Sequence, residues 1–131
     1  IPAVGEVVDA DWAAALCRHY SLWEVEKRIL QDPKIFKAWK FDGASGIPDE
    51  IFSRIFGIPS LIEIALRHDL NYGYGVIGDM GDRKQADEEF ESELLADGTH
   101  PIIAKLMYSA VRAGGHGKPL RLSFSWGFAR I

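Results

Sequence analysis

A chain of 131 residues is long enough for one domain that buries roughly two thirds of its unfolded surface. Its 47% hydrophobic and 26% charged residues are ordinary for a globular sequence, and its net charge of -4 argues against nucleic-acid binding and against strong attraction to an anionic membrane. A single cysteine, Cys17, excludes an intrachain disulfide. No apolar run approaches the ~20 residues of a transmembrane segment.

The chain starts "IPAVGEVV", with neither an initiator Met nor a signal-peptide pattern, so the expectation is a module of a longer protein. Asp9 or Asp11 is a candidate N-cap for a first helix through "DWAAALCRHY". Residues 22–30 suit a helix or a strand. "DPKIFKAWKFDGASGIP" reads as a loop, from its prolines and glycines. "PDEIFSRIFG" has Pro48 at a plausible first helical position and Gly57 at its end, which mark a short helix.

"PSLIEIALRHDLNY" predicts a helix over about 60–72, with Ser60 as N-cap and Glu63 completing a capping box. "GYGVIG" (Gly73, Gly75, Gly78) matches a dinucleotide fingerprint in spacing. A helix rather than a strand precedes it, however, and the acids of "DMGD" follow, so a phosphate site is rejected. "RKQADEEFESELLADG" predicts another helix ended by Gly98, with a solvated charged face. "IIAKLMYSAVRAGG" predicts a further one ended by Gly114 and Gly115. In the tail, the alternation of Leu120, Leu122, Phe124 and Trp126 suits a strand or an extended packing segment. The fold expected is mainly α: a compact single domain over 1–131, two antiparallel core helices carrying the site, and a short extended C-terminal segment.

Leu61, Ala65, His68 and Tyr72 are spaced by four, three and four, so they share one helical face, with Asp69 about 100° away. Asp87, Phe90 and Leu94 share a face by the same arithmetic. Antiparallel packing of the two helices lets Asp87 accept a hydrogen bond from one nitrogen of His68. The other nitrogen is then left to take a proton from water. Asp69 is placed to hold a hard cation with oxygens of the glycine-rich loop ahead of the helix. The plainer alternative for Asp69 is a surface pair with Arg67 or Arg83. Trp12, Trp23, Trp39 and Trp126, with Phe52, Ile55 and Phe56, are expected mostly in the core, and some of them at an interfacial rim. His19, His100 and His116 are expected at the surface or at caps.

"HDLNY" followed by "ADEEF" resembles the His-Asp-x-x-Tyr and Ala-Asp-x-x-Phe pair of the phospholipase A2 superfamily, most closely its cysteine-poor viral branch. The block from "FDGASGIPDEIF" to "AVRAGG" also resembles a family of uncharacterised phage and bacterial proteins. The lipase resemblance implies a calcium-dependent hydrolase of glycerophospholipid esters. His68 would be its general base, Asp87 the orienting carboxylate, Tyr72 a support for Asp87, and Asp69 a Ca2+ ligand. The usual calcium loop is replaced by "KFDGASGIPD", where Gly43 and Gly46 permit the turns and Asp42 or Asp49 adds a carboxylate. The partners implied are a phospholipid surface as substrate and an inhibitor or immunity protein. The setting implied is a secreted, delivered or phage-borne toxin or effector. Two other readings stand beside it. One is a His-Asp metal phosphohydrolase, whose metal helix "IEIALRHD" resembles and for whose distant His and late Asp the chain offers only His19 and Asp97, both poorly suited. The other is a non-catalytic phage module in which the pair clamps two helices.

Overall fold

Helix starts follow the local chemistry. In the computed structural model, which describes residues 1–42, 59–114 and 125–131, strand β1 (Val7–Val8) leads into Asp9. The Asp9 carboxylate accepts from Trp12 N at 2.8 Å and caps α1 (Ala10–His19). The chain turns at Ser21, which takes a left-handed φ of 60°, into α2 (Trp23–Gln31). A 3-10 turn (Pro33–Ile35) and β2 (Trp39–Lys40) follow. The strands pair antiparallel, Val8 opposite Trp39. Then come α3 (Pro59–Gly73), α4 (Met80–Ala96) and α5 (Pro101–Gly114).

The mainly α character expected from the sequence is what the structure has, in a packing of a single all-α domain. Residues 23–31 resolve as helix because Val25 and Ile29, four apart, bury together while Trp23 and Leu30 stay exposed. Two details differ from the expected helix starts. Ser60 lies inside α3, and its hydroxyl donates to Asp97 at 2.7 Å instead of capping. Helix α4 starts ahead of Arg83, because Asp79 accepts from Asp82 N at 3.0 Å and caps Met80. Its end is as expected: Gly98 takes a φ of 92° just beyond it.

Helices α3, α4 and α5 run up, down and up. Along α3, Ser60, Arg67 and Tyr72 meet Asp97, Glu93 and Arg83 of α4 in reverse order. Along α4, Arg83, Asp87 and Glu91 meet Arg112, Arg112 and Lys105 of α5 in reverse order. This trio buries Leu61, Ile64, Ala65, Phe90, Leu94 and Met107 among others. A second apolar cluster joins α1, α2 and β2 to the C-terminal end of α3 and to Trp126, Phe128 and Ala129.

The C-terminal segment 125–131 is folded in turns rather than as an extended strand. Gly127 N donates to Tyr72 O at 2.8 Å and Ala129 N to Gly73 O at 3.0 Å, so the segment seals the end of α3. A Cβ on Gly75 would run into the Trp126 indole. Gly75 therefore serves close packing, whereas Gly78 serves a left-handed turn at φ 92°. The expected helix at 48–57, Phe52, Ile55, Phe56, Gly43, Gly46, Asp49, Gly115, His116 and the alternation through Phe124 lie outside the described residues. No helix among the described residues is long and apolar enough to cross a membrane.

Candidate functional site

The shared face of α3 read from the sequence points inward: Leu61, Ala65, His68 and Tyr72 are all buried. So is the facing row on α4, Asp87, Phe90 and Leu94. Where the rows meet, His68 Nε2 stands 2.8 Å from Asp87 Oδ1. The imidazole lies between aromatic rings, 4.3 Å from Tyr72 and 4.6 Å from Phe90 between centroids. Among the described residues nothing bonds its Nδ1.

Asp87 has no solvent exposure, yet it is fully provided with donors. Tyr72 OH donates to both of its oxygens, at 2.7 and 2.9 Å, and Arg112 Nη1 donates to Oδ2 at 2.8 Å. Burial pushes the Asp87 carboxyl up, but the hydrogen bonds from His68, Tyr72 and Arg112 outweigh it and hold the group below the usual carboxylate range. The neighbouring phenol moves the other way: burial first, and the Asp87 charge second, raise Tyr72.

Two members of this network, Arg83 and Arg112, were not assigned to the site by the sequence reading. The sequence offers Arg83 as a surface partner for Asp69. It is instead buried, with Nε donating to Tyr72 OH at 3.1 Å and Nη2 to the carbonyls of Val111 and Arg112 at 3.2 and 2.6 Å. Its signal was present, because 83, 87, 90 and 94 continue one helical face. Arg112 comes from the last turn of α5, and nothing local marks it as a partner of Asp87.

Asp69 lies around the helix from His68, partly buried, and among the described residues no side chain donates to it. Its carboxyl is raised well above the usual range, by burial first and by the nearby Asp42 carboxylate second. Neither surface partner expected for Asp69 takes it: Arg67 pairs with Glu93 at 3.0 Å, and Arg83 is committed to Tyr72 and α5. Two neighbouring carboxylates with no counter-charge among the described residues suit a hard cation, although calcium takes six to eight oxygens. Gly43 and Gly46, the other ligands expected, lie outside the described residues. Among the described residues no three His, Cys, Asp or Glu side chains form a metal-binding group.

The remaining candidates fall away from this site. Asp97 is held by Ser60, roughly 12 Å along the α3 axis from His68. His19 is exposed at the end of α1, and His100 Nδ1 accepts from Ile102 N at 3.1 Å at the start of α5. Burial, with a contribution from Glu26, pushes the Cys17 thiol up to about 12, so it is a packing residue. Trp39 and Trp126 are core as expected, but Trp23 is 58% exposed. It borders a cleft of about 480 Å³ between α2 and α4 that also takes in Arg28, Asn71 and Glu89. His68, Asp69 and Asp87 do not line that cleft. No family model, curated protein or solved structure matches the chain.

Proposed function

We propose that the protein is a calcium-dependent hydrolase of glycerophospholipid ester bonds, phospholipase A2-like in its chemistry. The observation that carries this reading is the 2.8 Å contact of His68 Nε2 with the buried Asp87 carboxylate, which Tyr72 braces. An ionised carboxylate only accepts, so Nε2 carries the proton and Nδ1 keeps its lone pair. Nδ1 then takes a proton from water as the water oxygen bonds to the ester carbonyl carbon. The same proton passes to the departing glycerol oxygen as the ester C–O bond breaks. Asp69, with Asp42 and the backbone of the loop bearing Gly43 and Gly46, would hold the cation. Bound calcium would polarise the carbonyl and stabilise developing negative charge. The substrate is then a phospholipid surface. A toxin, effector or phage-borne setting, with an inhibitor or immunity protein as partner, fits such an activity.

The test uses phosphatidylcholine vesicles labelled in the sn-2 chain. Fatty acid release is expected with calcium, to stop with EGTA, and to fall by ~10²–10⁴-fold in His68→Ala, the usual worth of a general base. No release with calcium, or an undiminished rate in His68→Ala, rejects the hydrolase. A second reading is a non-catalytic phage structural or binding module. It is supported by the placement of Asp87 donors on both α3 and α5, as a clamp between helices requires. It predicts a folded protein without turnover.

A further inference from the structure

We propose that Arg112 and Arg83 set the direction of every hydrogen bond around Asp87, and so fix His68 in the tautomer with its proton on Nε2 and its lone pair on Nδ1. The catalytic value of that tautomer rests on the hydrolase reading above, whereas the tautomer itself does not.

The starting point is an ambiguity that the pair alone does not remove. A neutral imidazole has one donor and one acceptor nitrogen, and a phenol hydroxyl both donates and accepts. A carboxyl that picked up a proton would donate to Nε2 and turn the imidazole around, leaving the proton on Nδ1. At zero exposure, an aspartate without a counter-charge is driven toward that state. Arg112 prevents it. Its guanidinium, which has no acceptor and no accessible neutral form, donates to Oδ2 at 2.8 Å. Among the described residues, no Lys and no other Arg bonds to Asp87. The carboxylate stays an acceptor, and Oδ1 receives the proton of Nε2.

Arg83 does the same for the hydroxyl. Its Nε donates to the Tyr72 oxygen at 3.1 Å, so the phenol proton is directed to Asp87. Its Nη2 is anchored on the carbonyls of Val111 and Arg112. These belong to the last turn of α5, whose carbonyls lack partners within the helix and attract a cation. Both devices therefore meet at one residue: Arg112 gives its side chain to Asp87 and its carbonyl to Arg83. These arginines are positioning residues, acting on His68 through Asp87 and Tyr72.

The experiment is ¹⁵N–¹H correlation NMR of the imidazoles in the full chain, with vesicle hydrolysis measured in parallel. Wild type is expected to show neutral His68 with a slowly exchanging Nε2 proton. Arg112→Lys, which keeps a cation, is expected to preserve that signature. Arg112→Gln is expected to give mixed tautomers and a fast-exchanging proton, with kcat lowered by ~10–10²-fold at unchanged KM. An Arg112→Gln spectrum like that of wild type overturns the proposal. So does a wild-type His68 protonated on Nδ1, a result that needs no folded variant. If wild type shows the Nε2 proton, Arg112→Gln loses it, and no ester is cleaved, the hydrolase fails and the arginine assignment stands. If ester is cleaved while Arg112→Gln keeps the wild-type tautomer, the outcome is reversed.

Discussion

Asp87 and Asp69 belong to the same helix pair, but their surroundings are opposite. Asp87 is sealed from solvent, meets an imidazole, a phenol and a guanidinium, and is held ionised below the usual range. Asp69 is partly buried, meets no described donor, and is raised by burial and by Asp42. Paired carboxylates whose surroundings push them apart are how one site assigns different tasks to the same side chain. The difference shows that burial alone does not decide a carboxylate's state; the donors supplied with it do. Asp87 is fitted to orient an imidazole, whereas the cation role of Asp69 belongs to the proposed function.

The comparison breaks most sharply at Asp87. Asp87→Ala strands the Arg112 guanidinium, the Tyr72 hydroxyl and His68 together, and is expected to cost about 3–5 kcal/mol of stability. Urea unfolding measures it, and a loss under about 1 kcal/mol would show that the network does not tie the three helices. Acid should reveal the opposite signs of the two groups. Because the folded pKa of Asp87 is depressed, its contribution is present above the unfolded value of about 3.9 and is lost as pH falls through the folded value. Because the folded pKa of Asp69 is raised, its ionisation costs stability, a penalty that is complete above the folded value and gone below the unfolded value of about 3.9. Thermal unfolding from pH 7 downward should therefore show a gain before the acid loss, and Asp69→Asn should remove the gain alone. A gain of equal size in Asp69→Asn would contradict the contrast. The last effect is that of Asp69→Asn at pH 7 without calcium, which should be at least as stable as wild type because it removes the penalty of the ionised carboxyl. Calcium at 100 times its Kd should then stabilise wild type by about 2.7 kcal/mol and leave Asp69→Asn unmoved. Equal shifts in both would place the ion elsewhere.

Much of the helix pair was legible because its signals are local. The spacing of Leu61, Ala65, His68 and Tyr72 marks an inward face, and Asp87, Phe90 and Leu94 mark its counterpart. Arg83 was misplaced because a charged run was read as a solvated face, although it continues the buried row one turn earlier. Trp23 takes the exposed alternative that the sequence leaves open for its tryptophans, because α2 turns Val25 and Ile29 inward and leaves Trp23 outside. In the GxGxxG run, Gly73 and Gly75 make room for Phe128 and Trp126 of the C-terminal segment, whereas Gly78 takes a left-handed φ of 92°.

The amino-acid order by itself determined the long helices, their glycine stops and which rows of side chains face inward. Periodicity and caps act within a few residues and need no partner. Tertiary structure decided what each buried charge meets. His68 lies 19 positions from Asp87 and Arg112 lies 25, so their contacts exist only once α3, α4 and α5 have packed. The electrostatics of the site is set there, because a low-dielectric interior makes the identity and number of nearby donors, rather than the carboxylate itself, decide its charge.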